Sequence, residues 1–124
     1  MNKHRLILYA HGSKDPRWRE PFERLETDLR TDLGQNRVRL AYMEFIPPTL
    51  ADVAAEAVRD GVQRISVLPV FMAAGAHLAT DLPEQVEAVR QQFPEVELKV
   101  LAAAGEDPRL VAVLQTIARE SAGS

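Results

Sequence analysis

Three side chains capable of metal or proton chemistry, His11, Glu44 and His77, stand at or just after apolar runs of the sequence. Imidazole and carboxylate groups are suitable ligands for a divalent first-row metal, and imidazole is also the natural proton acceptor near neutral pH. The chain has no cysteine, so a cysteine-ligated metal site and a thiol nucleophile are excluded. The third histidine, His4, precedes the first apolar run, and we assign it no role.

Each of these residues also has a simpler interpretation. A histidine after a strand can be a polar loop residue that caps a helix, and Glu44 can be a solvated carboxylate at a strand end. If His11 and His77 follow neighbouring parallel strands, they meet at one edge of a sheet, where ligands bind in open α/β folds. This convergence favours a functional site at His11 and His77, whereas both interpretations of Glu44 stay open.

Charged and small residues surround these candidates. The turn of residues 12–15 contains a glycine and leads into a helix, so its N–H groups can accept an anion. It lacks the glycine-rich patterns of dinucleotide and nucleoside triphosphate sites, and its serine lacks the surroundings of a nucleophile. Lys14, Arg17 and Arg19 are either solvated or attract a ligand that carries several carboxylates. Residues 73–76 are small enough for their backbone to approach a large flat ligand.

A regular alternation of strands and helices must position these residues. Strand-like runs cover residues 5–10, 38–45, 64–72 and 96–102, and Pro69 is expected to end or loosen pairing in the third. Apolar residues at helical spacing follow each run. Two of these helices begin with an Asp-Pro pair, the signal of an N-cap followed by proline. The order predicts an α/β fold with a four-stranded parallel sheet and helices on both faces, in one domain over residues 1–124.

The composition excludes several classes of protein. The chain has 124 residues, 46% of them apolar, and 15 Lys and Arg against 18 Asp and Glu, which gives a net charge of -3. This length suffices for one hydrophobic core, and the mild acidity argues against a nucleic-acid partner. No apolar run approaches the roughly 20 residues of a membrane-spanning helix, and no signal peptide is recognisable. We therefore expect a cytoplasmic protein with neither a membrane nor a nucleic-acid partner.

Two motifs give the chain a family resemblance. The first is Tyr9-Ala-His-Gly-Ser-Lys-Asp-Pro-Arg-Trp18, and the second is Leu68-Pro-Val-Phe-Met-Ala-Ala-Gly-Ala-His77 followed by Thr80-Asp-Leu-Pro83. Together with the order of strands and helices, they resemble the short form of the CbiX-type sirohydrochlorin chelatases over essentially the whole chain. The sequence departs from the family pattern at Lys14, where arginine is expected.

The resemblance implies a chelatase-like fold and an enzyme that inserts a divalent metal into sirohydrochlorin, in cobalamin or sirohaem biosynthesis. The metal, Co²⁺ first and Fe²⁺ or Ni²⁺ as alternatives, is then a substrate, and no cofactor is bound permanently. Long members of the family contain two copies of this unit, so the short form is expected to pair as a homodimer.

The resemblance also assigns roles to residues. His11 and His77 match the catalytic histidines that handle the metal, and His11 is the expected proton acceptor. Neutral histidine suits both roles, because metal insertion removes two pyrrolic protons and the water shell of the metal. The residues expected to contact the macrocycle are Glu44, Ile46, Met72, Ala73, Ala74, Gly75 and Ala76.

Two other functions would use the same residues. A histidine-phosphatase-like enzyme also places His-Gly after a strand, but it needs arginines around the histidine to hold phosphate, and Ala10 precedes His11 here. A metal carrier or tetrapyrrole-binding module would use both histidines for tight binding without turnover. The absorbance of sirohydrochlorin with added Co²⁺, Fe²⁺ or Ni²⁺ distinguishes these hypotheses.

Overall fold

The computed structural model describes residues 3–73 and 75–123, with the side chains of residues 76–78 outside the described part. Strands and helices alternate along the chain, as the hydrophobic pattern predicts. The strands are β1 (His4–Ala10), β2 (Val38–Tyr42), β3 (Arg64–Pro69) and β4 (Glu97–Val100). The helices are α1 (Pro16–Leu33), α2 (Leu50–Arg59), α3 (Ala76–Gln92) and α4 (Pro108–Ala122), with a short 3₁₀ helix (Ala104–Glu106) before α4.

The four strands form one parallel sheet in the order β2-β1-β3-β4. Tyr9 of the inner strand β1 pairs with Ala41 of β2 on one side and with Pro69 of β3 on the other. The chain goes from β1 outward to β2 and then returns past β1 to β3. The strand order therefore reverses at β1. The predicted α/β fold with a four-stranded parallel sheet is confirmed.

Helices cover both faces of the sheet, because the side chains of each strand alternate between the faces. On one face α2 and α3 pack on an apolar cluster that includes Ile7, Tyr9 and Val67. On the other face Phe22 and Leu29 of α1 pack on a smaller cluster of β1 and β2 residues. Burial of this apolar surface makes the sheet the stable platform from which the loops project.

Local capping interactions fix the starts of three helices. The Asp15 carboxylate accepts the Arg17 N–H at 2.9 Å, and the Asp107 carboxylate accepts the Arg109 N–H at 2.8 Å, which confirms the two predicted Asp-Pro starts. At the start of α2, the Thr49 side chain and backbone exchange hydrogen bonds with the third helical residue in a capping box.

Three strands are shorter than predicted. β2 ends at Tyr42 rather than at Phe45, because Phe45 has a φ of 76°, a left-handed conformation that cannot continue a strand. β3 ends at Pro69, where pairing was expected to end or loosen, and one further hydrogen bond, from the Val70 N–H, still joins it to β1. β4 covers Glu97–Val100 and so is shorter at both ends than the predicted strand of residues 96–102. The chain beyond β2 and β3 is therefore available to form loops at the carboxyl edge.

One arginine is enclosed by the fold. The Arg5 side chain is 2% exposed, and its guanidinium lies 3.6 Å from the Glu56 carboxylate and 3.2 Å from that of Asp60. Both acids belong to the last turns of α2 and its C-terminal cap. These two ion pairs link β1 to α2 at the end of the sheet opposite His11.

The last helix, α4, differs from the others in its packing. None of its residues is buried, and its main contact is with the 3₁₀ helix just before it. Its exposed apolar side chains are Val111, Val113, Leu114 and Ile117. Among the described residues, no helix is both long and apolar enough to cross a membrane, and the cytoplasmic location stays a prediction.

Candidate functional site

The loops that follow β1, β2 and β3 meet at one edge of the sheet. Beyond the strands, the Val70 N–H donates to the Tyr9 carbonyl at 2.9 Å, and the Met43 N–H donates to the Ala10 carbonyl at 2.8 Å. These bonds extend the parallel pairing and hold the start of each loop beside its neighbour. The edge coincides with the reversal of strand order, the place where open parallel sheets bind ligands.

His11 and Glu44 lie side by side at this edge. Nε2 of His11 is 3.3 Å from Oε1 of Glu44, and the two side chains are 49% and 34% exposed. The backbone places Glu44, because its N–H donates to the His11 carbonyl at 3.2 Å. An imidazole and a carboxylate are thus offered together to an incoming ligand, which suits metal coordination and proton transfer. This contact favours a role for Glu44 beside His11.

Gly12 makes this close approach of the two loops possible. Its φ is 94°, a left-handed conformation that glycine adopts without steric cost. A Cβ atom at this position would lie 2.1 Å from the Glu44 carbonyl oxygen and 3.2 Å from the Cβ of Tyr42. Any other residue would therefore push the loop after β2 away from β1.

Aromatic and apolar side chains flank His11. The ring centroid of Phe71 lies 6.2 Å from that of His11 in an edge-on arrangement, and that of Phe45 lies 6.1 Å away. Phe45 is 59% exposed and Met72 is 58% exposed, which is unusual for such large apolar groups. Exposed apolar surface next to ionisable groups suits a large ligand with a flat apolar body.

A buried tyrosine ties a third element to this edge. The Tyr9 hydroxyl donates to Oε1 of Gln85 on α3 at 2.8 Å, and Nε2 of Gln85 donates to the Met43 carbonyl at 3.3 Å. Burial raises the pKa of Tyr9 well above its ordinary value, so the hydroxyl keeps its proton and stays a donor. Gln85 thereby fixes the position of Met43, the residue that precedes Glu44.

The three cations that follow His11 are not equivalent. The Arg17 guanidinium pairs with the Asp15 carboxylate at 2.7 Å, and hydrogen bonds from Arg17 hold the pKa of Asp15 below its ordinary value. Arg19 instead lines a cavity of about 240 Å³ that also includes His11 in its wall. Lys14 is exposed and is not among the described residues of this cavity wall, so Arg19 is the predicted cation that lies beside His11 there.

The structure places the predicted macrocycle contacts in different surroundings. Ile46, in the loop after β2, is partly buried and packs against the apolar cluster under α1. Met72 and Ala73 are exposed in the loop after β3, and Gly75 is the exposed N-cap of α3. Ala74 lies outside the described residues, as does the side chain of Ala76.

His77 belongs to the first turn of α3, which begins at the same edge as the loop that carries His11. Its side chain lies outside the described part of the structure, so the joint action of the two histidines stays a prediction. Among the side chains that are described, no three His, Cys, Asp or Glu groups converge on one point. His11 and Glu44 are the pair that the structure brings together.

Gln85 is not among the residues of this edge predicted from the sequence, whereas Phe45 falls inside the predicted contact region of residues 44–46. Phe45 lies between two predicted contacts, but a left-handed φ at a phenylalanine follows from no local pattern. Gln85 looks like an ordinary polar residue of a helix, and its partner Tyr9 is 76 residues away in the chain.

A larger cavity of the described structure lies elsewhere. It has a volume of about 550 Å³ and is bounded by α3, β4 and the 3₁₀ helix, with Leu82, Val86 and Leu101 among its lining residues. Its described lining contains no histidine, and its ionisable groups are Glu87, Arg90 and Glu106. We therefore place the chemistry at the smaller cavity beside His11, where the imidazole and carboxylate meet.

Comparison with known proteins gives a family match over nearly the whole chain. The CbiX family model matches residues 5–121. A protein named sirohydrochlorin cobaltochelatase from Sulfurisphaera tokodaii is 28% identical over 110 residues, which cover 89% of this chain and 87% of that one. A sirohydrochlorin ferrochelatase from Priestia megaterium is 28% identical over 109 residues, which cover 87% of this chain but only 41% of that one.

Solved structures share the same fold. A cobalamin (vitamin B12) biosynthesis CbiX protein from Marinobacter aquaeolei VT8 is similar with a TM-score of 0.85 and 33% identity, over 97% of this chain and 95% of that one. The sirohydrochlorin chelatase SirB from Bacillus subtilis subspecies spizizenii, solved in complex with cobalt, is similar with a TM-score of 0.82 and 18% identity. That match covers 95% of this chain and 50% of SirB.

Proposed function

Because the chain belongs to the CbiX family, we propose that it is a metal chelatase that inserts a divalent metal ion into sirohydrochlorin, in cobalamin or sirohaem biosynthesis. The observation that carries this proposal is the contact of His11 with Glu44 at the carboxyl edge of β1, flanked by the exposed Phe45 and Met72. A tetrapyrrole needs both parts of this arrangement. Its flat ring requires an apolar surface, and its metal and pyrrolic protons require ligands and bases.

In this proposal the metal ion is a substrate, and no cofactor is bound permanently. Insertion replaces two pyrrolic protons with one divalent cation, so the protein must accept protons while it releases the metal. Neutral His11 coordinates the cation through an imidazole nitrogen and, once the metal has moved on, accepts one of the two pyrrolic protons, while the other passes to water. The Glu44 carboxylate at 3.3 Å stabilises the imidazolium that results.

His77 is proposed as the second metal-handling and catalytic residue, at the start of α3. The loop of Met72, Ala73, Ala74, Gly75 and Ala76 is proposed to lie against the macrocycle, together with Glu44 and Ile46. The exposure of Met72 and Gly75 supports this assignment for the loop. Co²⁺ is the proposed metal, with Fe²⁺ and Ni²⁺ as alternatives, because nitrogen and oxygen ligands accept all three.

The test follows the absorbance of sirohydrochlorin with Co²⁺, Fe²⁺ or Ni²⁺ and the purified full chain. We expect turnover with at least one metal, and a loss of about 10²–10⁴-fold in His11→Ala, the range for removal of a general base. His4→Ala is the matched control, because His4 bonds to Ser66 at the opposite end of β1. Insertion by His11→Ala at the rate of the unsubstituted protein would refute the proposal, and tight binding without turnover would indicate a carrier.

We also propose that the active protein is a homodimer in which a second copy covers α4. This helix exposes Val113, Leu114 and Ile117 and buries none of its residues. Such a face is typical of a helix that packs against a partner. The similar SirB chain is long enough to contain two units of this size, since this chain covers 50% of it.

Light scattering during size-exclusion chromatography tests the dimer. We expect twice the 13.8 kDa mass of one chain, and we expect Leu114→Glu to shift the protein towards a single chain. Gln115→Glu adds the same charge at the next, polar position of α4 and should leave the mass unchanged. A protein that elutes as one chain at the concentrations used for the assay would contradict this part of the proposal.

A further inference from the structure

The cavity beside His11 is suited to one charged arm of a larger ligand. Its volume is about 240 Å³, below the roughly 300–1,000 Å³ typical of pockets that enclose a whole small molecule. Phe22, Val70 and Phe71 give it a largely apolar wall. Among its described lining residues, Arg19 is the only one that carries a fixed charge. The cavity therefore offers a small, partly enclosed volume with a mostly apolar wall and one cation, Arg19, among its described residues.

Arg19 differs from the other arginines of α1. Arg17 is paired with Asp15, and Arg24 is paired with Glu20 one turn further along the helix. Arg19 has no carboxylate within salt-bridge distance among the described residues, and its Nε is shielded from solvent without a hydrogen-bond partner. A buried donor without an acceptor is unfavourable, so Arg19 gains from any ligand that brings an acceptor.

A second groove next to Arg19 does not offer the same chemistry. It has a volume of about 360 Å³, and its lining includes the carboxylates Glu23 and Glu26 as well as Arg39. The Glu26 carboxylate already accepts the Leu40 N–H at 2.6 Å and pairs with Arg39. Arg19 also lines that groove, where Glu23 and Glu26 balance the charges of Arg19 and Arg39, whereas the cavity beside His11 contains no carboxylate in its described lining.

We propose that Arg19 binds a carboxylate arm of the tetrapyrrole in the cavity beside His11, and so fixes where the macrocycle lies relative to the imidazole. This inference rests on the proposed function, since the arm is one of the acetate or propionate groups of that substrate. A guanidinium binds a carboxylate through two parallel hydrogen bonds, which set orientation as well as affinity. The Trp18 and Phe22 rings in the same wall accommodate the apolar part of the arm.

The experiment compares Arg19→Gln with Arg17→Gln, which removes the same charge two residues earlier, from an arginine already paired with Asp15. Fluorescence titration with metal-free sirohydrochlorin measures the Kd, and steady-state assays measure KM separately for sirohydrochlorin and for Co²⁺. For Arg19→Gln we expect Kd and KM for sirohydrochlorin to rise about tenfold or more, because the variant loses a charge-assisted hydrogen bond to the substrate. KM for Co²⁺ should stay the same, and Arg19→Lys should restore part of the affinity.

The outcomes separate this inference from the proposed function. If the unsubstituted protein inserts metal and Arg19→Gln binds sirohydrochlorin within twofold of it, the inference is wrong and the function stands. An equal loss in Arg17→Gln would also overturn it, because the effect would then be one of net charge. If sirohydrochlorin binds in an Arg19-dependent way without metal insertion, the inference stands and the chelatase proposal fails. Far-ultraviolet circular dichroism verifies that each variant is folded.

Discussion

Replacement of Gly12 by alanine should damage the site through the backbone alone. The left-handed conformation costs a residue with a Cβ roughly 1–2 kcal/mol, and Gly12 has a φ of 94°. The new Cβ would also lie 2.1 Å from the Glu44 carbonyl oxygen, so the loop after β2 must move. Overpacking of this kind adds about 1–3 kcal/mol. We therefore expect Gly12→Ala to lose about 2–5 kcal/mol of unfolding free energy.

Gly61 provides the matched control for this prediction. Its φ is 80°, but a Cβ there would meet nothing within 4 Å. Gly61→Ala should therefore lose only the conformational part, about 1–2 kcal/mol. Urea denaturation measures the free energies of unfolding, and the sirohydrochlorin assay measures metal insertion, which only Gly12→Ala should impair. Equal losses of stability in the two variants, or full activity in Gly12→Ala, would refute the argument that close contact of the loops positions Glu44.

Three further results are expected. Tyr9→Phe should lower the unfolding free energy by about 1 kcal/mol in urea denaturation, because the part-buried Gln85 amide oxygen loses its donor. Arg5→Ala should lower it by about 3 kcal/mol, because a fully enclosed long side chain is lost from the core, and Asp60→Asn should cost less, since Arg5 keeps Glu56 as a partner. Hydrogen bonds from the neighbouring arginine and its N–H lower the pKa of Asp107 from 3.8 to about 2. Its stabilisation of α4 is therefore complete above about pH 4 and lost towards pH 2. In Asp107→Asn that part of the acid transition, followed by circular dichroism, should be absent.

Features encoded by neighbouring residues could be predicted from the sequence. The helix starts at Asp15 and Asp107 depend on a side chain and an N–H two residues apart, so the Asp-Pro pairs were sufficient to locate them. The end of β3 coincides with Pro69, a residue that has no N–H to donate and is visible as such in the sequence. The parallel sheet followed from the alternation of strand and helix, because crossover connections leave few other arrangements.

Features that depend on residues far apart in the chain could not be predicted from the sequence. The sequence shows Arg17 and Arg19 as equivalent cations, and only the pairing of Arg17 with Asp15 and the cavity beside His11 distinguish them. The sequence predicts the end of β2 too late, because no local pattern indicates the left-handed φ of Phe45. The role of Gln85 requires a tyrosine that is 76 residues away. The proximity of Glu44 to His11 was left open for the same reason.

The bond between Tyr9 and Gln85 also bears on how the protein is made. β1 is an inner strand whose second neighbour, β3, is synthesised only after α1, β2 and α2. At about 5–20 residues per second, the nascent chain carries an apolar strand with an open edge for several seconds, and contacts so distant in sequence slow folding. The edge around His11 is complete only when α3 has emerged from the ribosome. A chain that stalls before this point exposes β1 to chaperones and to other unfinished chains.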